Sequence, residues 1–533
     1  MKIEKVTIKN FKSIQYQEID LYNYNVFVGE NNSGKSNFIA ALRAFYDEYK
    51  PTTEDFCIHA TDNEMYIELK FDLIGDDITK AFFEEKKGSK YLLEDDKLVV
   101  RRDYVKDSSG LLQDNSYHGF LQEEQAFDTD NQFFGTRRVS KSMLGEIIYI
   151  PPLTEIGEAL KTSSKYSTIM KLVNKIVQPK LKDNKNLQII NNEIQQLNET
   201  SPFEEIEQNI NTYMLSYSCE VQMSFDSLSV DNIFSNIFMS VKDSETDFLP
   251  VANKGMGLQR ALLMSLLKYW AAVEKESKPD TPTQPPSLLI VEEPEVHQHP
   301  QKQSMLFDEL KNIAKDSNQV FITTHSSNFV SEADDDLRYV FRTMKNVNDC
   351  TEYLQVKEET IDKSKEADRF KFWKYLDAEK NKIFFSNKTV LCEGNTERLL
   401  ANYIIKSDAY VDDFGTQSAV TLIDCCGKYN LVHFIRICED LHINYSIFYD
   451  LDTNKKDKKQ LNEDVNEAIK NLLDSAQYLV SKHVCDDNLD ISLFQENISN
   501  DQKMNIIERI EEGNYDTEVY DKLKSCIKEL VEA

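Results

Sequence analysis

Apolar positions at the start of the chain follow a strand pattern: Ile3, Val6 and Ile8 suit one strand, and Phe11 and Ile14 follow a short turn. Tyr24-Asn25-Val26-Phe27-Val28-Gly29 is a buried-strand pattern running into a glycine-containing loop, and from Asn37 to Tyr46 apolar residues recur at helical spacing. Strand, loop and helix are therefore predicted in that order. Residues 60–150 read as mixed strands and loops, with Met65-Tyr66-Ile67-Glu68-Leu69-Lys70-Phe71 alternating as a strand. From 155 to 215 the chain turns rich in Lys, Asn, Gln, Ile and Leu with helical periodicity. Two readings fit that stretch equally: a helical insertion or arm, and an ordinary helical layer of the same domain.

The segment holding Pro279, Pro282, Pro285 and Pro286 reads as an exposed loop. Directly after it, Leu288-Leu289-Ile290-Val291 is a short apolar run of the buried parallel-strand type, and Val320-Phe321-Ile322 is another. Residues 343–387 are charged and without clear strand alternation, which places a domain junction there. A new alternation begins at Thr389: strand Val390-Leu391-Cys392, a helix from Thr396, strand Val420-Thr421-Leu422-Ile423, a helix from Leu431, and strand Ile447-Phe448-Tyr449. Strands alternating with helices predict a parallel α/β sheet. No internal repeat is visible.

Composition narrows the picture. At 533 residues the chain exceeds what one hydrophobic core spans, so two or more domains are expected. Hydrophobic residues at 41% and charged residues at 29% fit a soluble globular protein, with no apolar run of membrane-helix length. The charged N-terminus is unlike a signal peptide, and nine cysteines without a CxxC pair suit reduced thiols in the cytoplasm. The net charge of −29 weighs weakly against a nucleic-acid binder, because a local basic groove and a carboxylate-rich metal site are both compatible with it.

Chemistry enters with Gly29-Glu30-Asn31-Asn32-Ser33-Gly34-Lys35-Ser36, which fits a P-loop in the required strand–loop–helix setting. Its glycines let the backbone wrap phosphates, and the amides and helix N-terminus favour negative charge. Gly29, Asn32, Gly34, Lys35 and Ser36 are the candidate nucleotide-binding residues. Lys35 is expected on the β- and γ-phosphates and Ser36 on Mg²⁺. Leu288–Val291 followed by Glu292-Glu293 reads as a Walker B strand: Glu292 supports the metal and Glu293 polarises the attacking water. Aspartate is usual at the first of these positions, and Glu292 departs from that. Lys254-Gly255-Met256-Gly257-Leu258-Gln259-Arg260 precedes the apolar helix Ala261–Trp270. Gly255 and Gly257 fit either a simple helix-start turn or a signature motif that takes a phosphate held by a second subunit. In Thr323-Thr324-His325-Ser326, His325 follows a buried strand, where a γ-phosphate-sensing histidine would sit.

The motifs IKNFKSI, GENNSGKS, KGMGLQR, EEPEVHQHP and TTHS together resemble the ATPase half of the OLD (overcoming lysogenization defect) family, relatives of SMC and RecF proteins, over residues 1 to about 340. No residue of the Q-loop can be assigned. In the second half, Leu391-Cys392-Glu393-Gly394-Asn395-Thr396-Glu397 and Phe448-Tyr449-Asp450-Leu451-Asp452 put carboxylates at the carboxyl ends of predicted buried strands, the edge where parallel sheets build sites. Oxygen ligands of this kind suit Mg²⁺ or Mn²⁺, and a pair of such ions supports phosphodiester cleavage. EGxxE followed by DxD resembles a Toprim domain of the OLD-nuclease type, with Gly427-Lys428 after Asp424 as its GK element. Glu397 reads either as a ligand or as a helix cap. The resemblance also implies a later acid and a lysine, for which Glu496 and Lys503 are the candidates. Lys455, Lys456, Lys458 and Lys459 read as a solvated loop before they read as a DNA-backbone contact.

The expected fold class is therefore α/β: an ABC-type P-loop ATPase (1–154 and 216–345) with a helical dimerisation insertion (155–215), a linker (346–387) and a Toprim nuclease domain (388–533). The resemblance implies ATP and Mg²⁺ or Mn²⁺ as cofactors, a homodimer or higher oligomer, DNA cleavage and phage defence. It implies as partners a helicase or a reverse transcriptase with its RNA–DNA product, as in Gabija-type and retron-associated systems, and no membrane. The competing expectation is an SMC- or RecF-like DNA-sensing ATPase without nuclease activity. A topoisomerase- or primase-like Toprim enzyme lacks an identifiable tyrosine or zinc module.

Overall fold

The computed structural model describes residues 1–74, 76, 80, 83, 89–106, 112–131, 133, 144–152, 167–169, 171–173, 176, 203–215, 218–225, 237–243, 247–276, 287–296, 299–314, 318–330, 337–360, 376–407, 420–452, 459–485, 489–494 and 506–532. Most of the 155–215 stretch, the proline-rich loop at 278–286, and Glu496, Lys503, Lys455, Lys456 and Lys458 lie outside these residues. The chain packs as two compact units: Met1–Phe27, Asn32–Thr324 and Lys345–Glu352 form the first, and Val28–Asn31, His325–Met344 and Tyr353–Ala533 the second. Among the described residues, no helix is long and apolar enough to cross a membrane.

In the first unit, β1 (Lys2–Phe11) and β2 (Ile14–Asp20) form a hairpin whose turn holds Lys12 at φ 52°. β3 (Tyr24–Val28) follows and leads to α1 (Lys35–Phe45). β4 (Glu64–Asp72), β5 (Lys97–Lys106), β6 (Leu112–Leu121) and β7 (Ala126–Phe127) extend the hairpin into a sheet of order β2-β1-β4-β5-β6-β7. The alternation legible in 65–71 is the burial pattern of β4, with Met65, Ile67, Leu69 and Phe71 inside. Next come β8 (Glu146–Ile150), α2 (Glu204–Met214), and a small sheet of β9 (Cys219–Phe225), β10 (Ile237–Asp243) and β11 (Leu249–Pro250). α3 (Met256–Glu276), β12 (Ser287–Glu292), α4 (Pro300–Ile313) and β13 (Gln319–Thr323) complete this part.

β3, β13, β12 and β8 lie side by side in that order, all parallel. Strands covered on both faces must be apolar throughout, and β13 is buried at every position. The register aligns Phe27, Thr323 and Glu292 at the carboxyl edge. Phe38 of α1 stacks on Phe27 with ring centroids 4.3 Å apart, fastening the helix over the sheet. The last carbonyls of α1 are satisfied from the antiparallel sheet. Buried Arg102 donates to Ala44 and Phe45, Tyr104 donates to Ala44 at 3.2 Å, and Tyr117 donates to Phe45. A helix whose amino end is to face anions needs this satisfaction of its other end.

Within the stretch read as lacking strands, the chain forms β14 (Val340–Lys345) and β15 (Thr351–Leu354), each too short to show a clear alternation. In the second unit follow β16 (Lys388–Cys392), α5 (Asn395–Ser407), β17 (Val420–Asp424), α6 (Lys428–Asp440), β18 (Asn444–Asp450), α7 (Lys459–Asp474), β19 (Leu479–Cys485), α8 (Leu489–Phe494), α9 (Ile506–Glu511) and α10 (Thr517–Glu532). The sheet is parallel throughout, ordered β17-β16-β18-β19. The order in which strands are added reverses between β16 and β18, and that switch point is where parallel sheets open a crevice. α3 and α6 begin three to five residues before their apolar periodicity, at Met256 and Lys428. The buried positions at these helix starts are polar, Gln259 and Arg260 in α3 and Lys428 and Asn430 in α6, so apolar spacing alone misses them.

Arg342 on β14 is buried and donates to the carbonyls of Leu441, of His442 at 3.1 Å and of Ser386 at 2.7 Å, and to Asn387 Oδ1 at 2.6 Å. It closes the carboxyl end of α6 as Arg102 closes that of α1. Arg342→Leu strips several buried acceptors of their donor and is expected to cost about 2–5 kcal/mol. A denaturant melt followed by circular dichroism measures it, with Arg342→Lys falling between the two. A leucine variant that melts with the wild type would show that these bonds contribute nothing net.

Candidate nucleotide and metal sites

The loop between β3 and α1 is shaped by its backbone. Gly29, Asn32 and Gly34 have φ of 148°, 64° and 110°. Gly34 caps α1, and any Cβ there would fall inside the side chain of Thr351, besides being strained at that φ. Thr351 in turn donates to Ser33 O at 3.0 Å and shares a 2.6 Å hydrogen bond with Ser13. Lys35 is buried in the first turn of α1, and Ser36 beside it is exposed.

Glu292 ends β12 and is buried. Ser36 donates to its Oε2 at 2.7 Å, so the longer glutamate reaches the P-loop hydroxyl directly. The Tyr149 hydroxyl, from β8, donates to its Oε1 at 2.6 Å. Glu293 is turned out of the strand at φ 47°, its amide bonded to Thr323 O at 2.8 Å. Glu295 accepts from Thr324 Oγ1 at 2.8 Å. Arg260, fully buried on α3, donates to Glu292 O. Burial draws its pKa down to about 10 against the opposing charges of Glu295, Glu293 and Glu292. Neither Tyr149 nor Arg260 was a candidate from the sequence, where one is an aromatic in an apolar strand and the other a polar residue in a helix start.

Gly255 is exposed with open space around its Cα, and the amides of Leu258 and Gln259 bond back to its carbonyl at 3.0 and 3.2 Å. Gly257 lies in the first turn of α3. His325 is the exposed residue directly after Thr324.

In the second unit the crevice between β16 and β18 collects the sequence-predicted carboxylates. Glu393 Oε2 accepts from the Asp450 amide at 2.9 Å, and Asp450 Oδ2 accepts from the Leu489 amide at 3.2 Å. Glu397 Oε2 accepts from the Gly394 amide at 2.9 Å, the bond expected of a helix cap, while its side chain stays buried beside the others. Lys428, almost fully buried, donates to Asp450 O at 2.7 Å and pairs with Asp452 at 3.2 Å. Asp452 adopts φ 54°, which turns the chain back toward Lys428.

The donor chemistry fits a hard divalent cation. Asp450 Oδ1 is buried with no hydrogen-bond partner. Burial, followed by the charges of Glu397 and Glu393, pushes the Asp450 carboxyl up to about 8. Added positive charge relieves both penalties, and an all-oxygen set selects Mg²⁺-like ions. Among the described residues, no three His, Cys, Asp or Glu side chains are already closed around one point. Lys428 and backbone amides hold the carboxylates instead.

Residues 1–330 match the AAA ATPase domain family, and residues 384–452 match the TOPRIM domain of overcoming-lysogenization-defect-protein-like proteins. The chain is 26% identical over 478 residues to Endonuclease GajA of Bacillus cereus, covering 87% of this chain and 77% of that one. It is 22% identical over 472 residues to Old nuclease of Escherichia phage P2, covering 85% and 77%. Among solved structures, the SmcHead bound to the C-winged helix domain of ScpA superposes at TM-score 0.43 and 15% identity, covering 67% of this chain and 99% of that one.

Lys428→Met keeps the length of the side chain and removes the charge that faces Asp452. A buried carboxylate left alone is expected to cost about 3–5 kcal/mol in EDTA. Millimolar Mg²⁺ or Mn²⁺ should recover part of the lost melting temperature, more than it adds to the wild type. Equal responses of the two proteins to the ion would separate Lys428 from the carboxylate cluster.

Proposed function

This chain belongs to the AAA ATPase domain family and is an ATP-dependent endonuclease with an OLD-like TOPRIM domain, and from that premise we propose that it cuts DNA, in defence against phage, at the carboxylate edge of its second unit. The observation that carries the reading is the convergence of the Glu393, Glu397 and Asp452 charges on Asp450, whose buried Oδ1 is unpartnered, with Asp452 paired to buried Lys428. Glu393, Asp450 and Asp452 would hold the divalent ions, with Glu397 adding charge and fixing the Gly394 turn. Mg²⁺ or Mn²⁺ supplies, when bound, the charge that activates water and offsets the charge developing on the scissile phosphate. Glu496 and Lys503 stay assigned as the later acid and the lysine of this site.

In the ATPase half, the P-loop amides, Asn32 and Lys35 take the phosphates, and Ser36 with Glu292 faces the nucleotide's cation. Glu293 orients the attacking water. Gly255, exposed just before α3, and Gly257, half-buried in its first turn, complete a site held by a second copy of the chain, and His325 senses the γ-phosphate. Self-assembly, a cytoplasmic location and a helicase or reverse-transcriptase partner belong to the same proposal.

Two substitutions test it. Lys35→Ala should abolish binding of a fluorescent ATP analogue by more than about 100-fold, the loss of a charged phosphate contact, in a protein that melts like the wild type. Asp450→Asn should abolish plasmid nicking in Mg²⁺ or Mn²⁺ while phosphate release from ATP stays within a few-fold. A chain that never cuts DNA in any metal would leave a DNA-sensing ATPase. Parallel loss of both activities in Asp450→Asn would mean that the two sites are not separable.

A further inference from the structure

Glu292 carries one methylene more than aspartate, and that adds a torsion which its surroundings must fix. Two hydroxyls of the first unit do so: Ser36 donates to Oε2 at 2.7 Å, and the Tyr149 phenol donates to Oε1 at 2.6 Å. Tyr149 pairs in register with Ile290 on β12, so its phenol reaches forward along the sheet to the last residue of that strand. The Arg43 guanidinium covers the tyrosine ring, 3.8 Å from its centroid. Ser36 and Arg43 both belong to α1 and lie about two turns apart, on one face. The helix therefore holds Glu292 directly through its first turn and indirectly, through Tyr149, through its last. A cation over the ring draws electron density from the phenol and makes its O–H a better donor.

We propose that Tyr149 is a positioning residue of the nucleotide site, whose phenol holds the Glu292 carboxylate in the orientation that receives the nucleotide's divalent cation. This rests on the reading of Glu292 given under Proposed function. Without the phenol, the carboxylate loses the hydrogen bond at Oε1 and turns about its extra torsion. Affinity for the cation falls, while phosphate contacts made by the P-loop are untouched.

The test uses the full chain and Tyr149→Phe, which keeps the ring under Arg43 and removes only the hydroxyl. Binding of a fluorescent ATP analogue in EDTA should stay within about two-fold of wild type. The Mg²⁺ concentration for half-maximal phosphate release should rise roughly ten-fold, the size expected for one hydrogen bond to a charged group. Mn²⁺ bound in the presence of a non-hydrolysable ATP analogue, read by electron paramagnetic resonance, should weaken in parallel. Arg43→Gln acts on the ring without touching the hydroxyl and should shift the same value in the same direction by less.

An unchanged Mg²⁺ requirement in Tyr149→Phe, or a lower maximal rate with no shift in that requirement, overturns the assignment and leaves the phenol a structural contact. Glu292→Gln separates this from failure of the underlying reading. If Glu292→Gln also leaves the Mg²⁺ requirement unmoved, the metal role of Glu292 falls and Tyr149 falls with it. If Glu292→Gln raises the requirement and Tyr149→Phe does not, only the role of Tyr149 is lost.

Discussion

Gathering carboxylates at the carboxyl ends of buried parallel strands is the constraint on which both units are built. Strand ends there point side chains into one crevice, and partial burial removes the water that would screen them. Each unit answers with a buried cation. In the first, Arg260 is fully buried and bonds the main chain of Glu292 while facing Glu293 and Glu295. In the second, Lys428 pairs with Asp452 and bonds the main chain of Asp450. The guanidinium stays charged even where burial weakens it, which suits a permanent fixture. The ammonium is a compact charge that meets Asp452 from the first turn of α6. In both units the cation reaches the carboxylate-bearing strand end from the amino-terminal part of a helix.

The two helix-to-strand crossings share a second solution. α1 and α6 each turn their amino ends toward the carboxyl edge of a sheet, and each has its terminal carbonyls bound by a buried arginine from a different strand. Such a clamp fixes the helix along its axis. An amino-terminal turn can then present its amides in one place, with no reorganisation when a charged group arrives.

Much of this architecture was legible because it is local. The P-loop is readable from glycine spacing between an apolar strand and an apolar helix. The strand ends at Glu292, Glu393 and Asp450 are readable because short runs such as Leu288–Val291 and Ile447–Tyr449 stop at charge. The structure brings Glu393, Asp450 and Asp452 to one crevice because Val390–Cys392 and Ile447–Tyr449 become neighbouring parallel strands. What escaped the sequence depends on distant partners. The role of Tyr149 is visible only once its hydroxyl is seen on Glu292, and those of Arg102 and Arg342 only once the helix ends that they bind are in place. β15 escaped because four residues in a charged stretch carry too little periodicity. The acidic composition informed least, since a sum over the chain does not report where charge collects.

Thr351 fills the volume that a side chain at position 34 would need, and its amide and hydroxyl are bonded to Ser13 and Ser33. The floor of the phosphate loop is thus laid by a residue that the ribosome adds long after the loop itself. A nascent chain that has emerged only through β13 holds every glycine of the loop but not its support. Folding of the nucleotide site during synthesis must therefore wait for Lys345–Glu352 to return to the first unit. A protease cut or a gene split placed between 324 and 345 would leave the two fragments dependent on each other for this one small side chain.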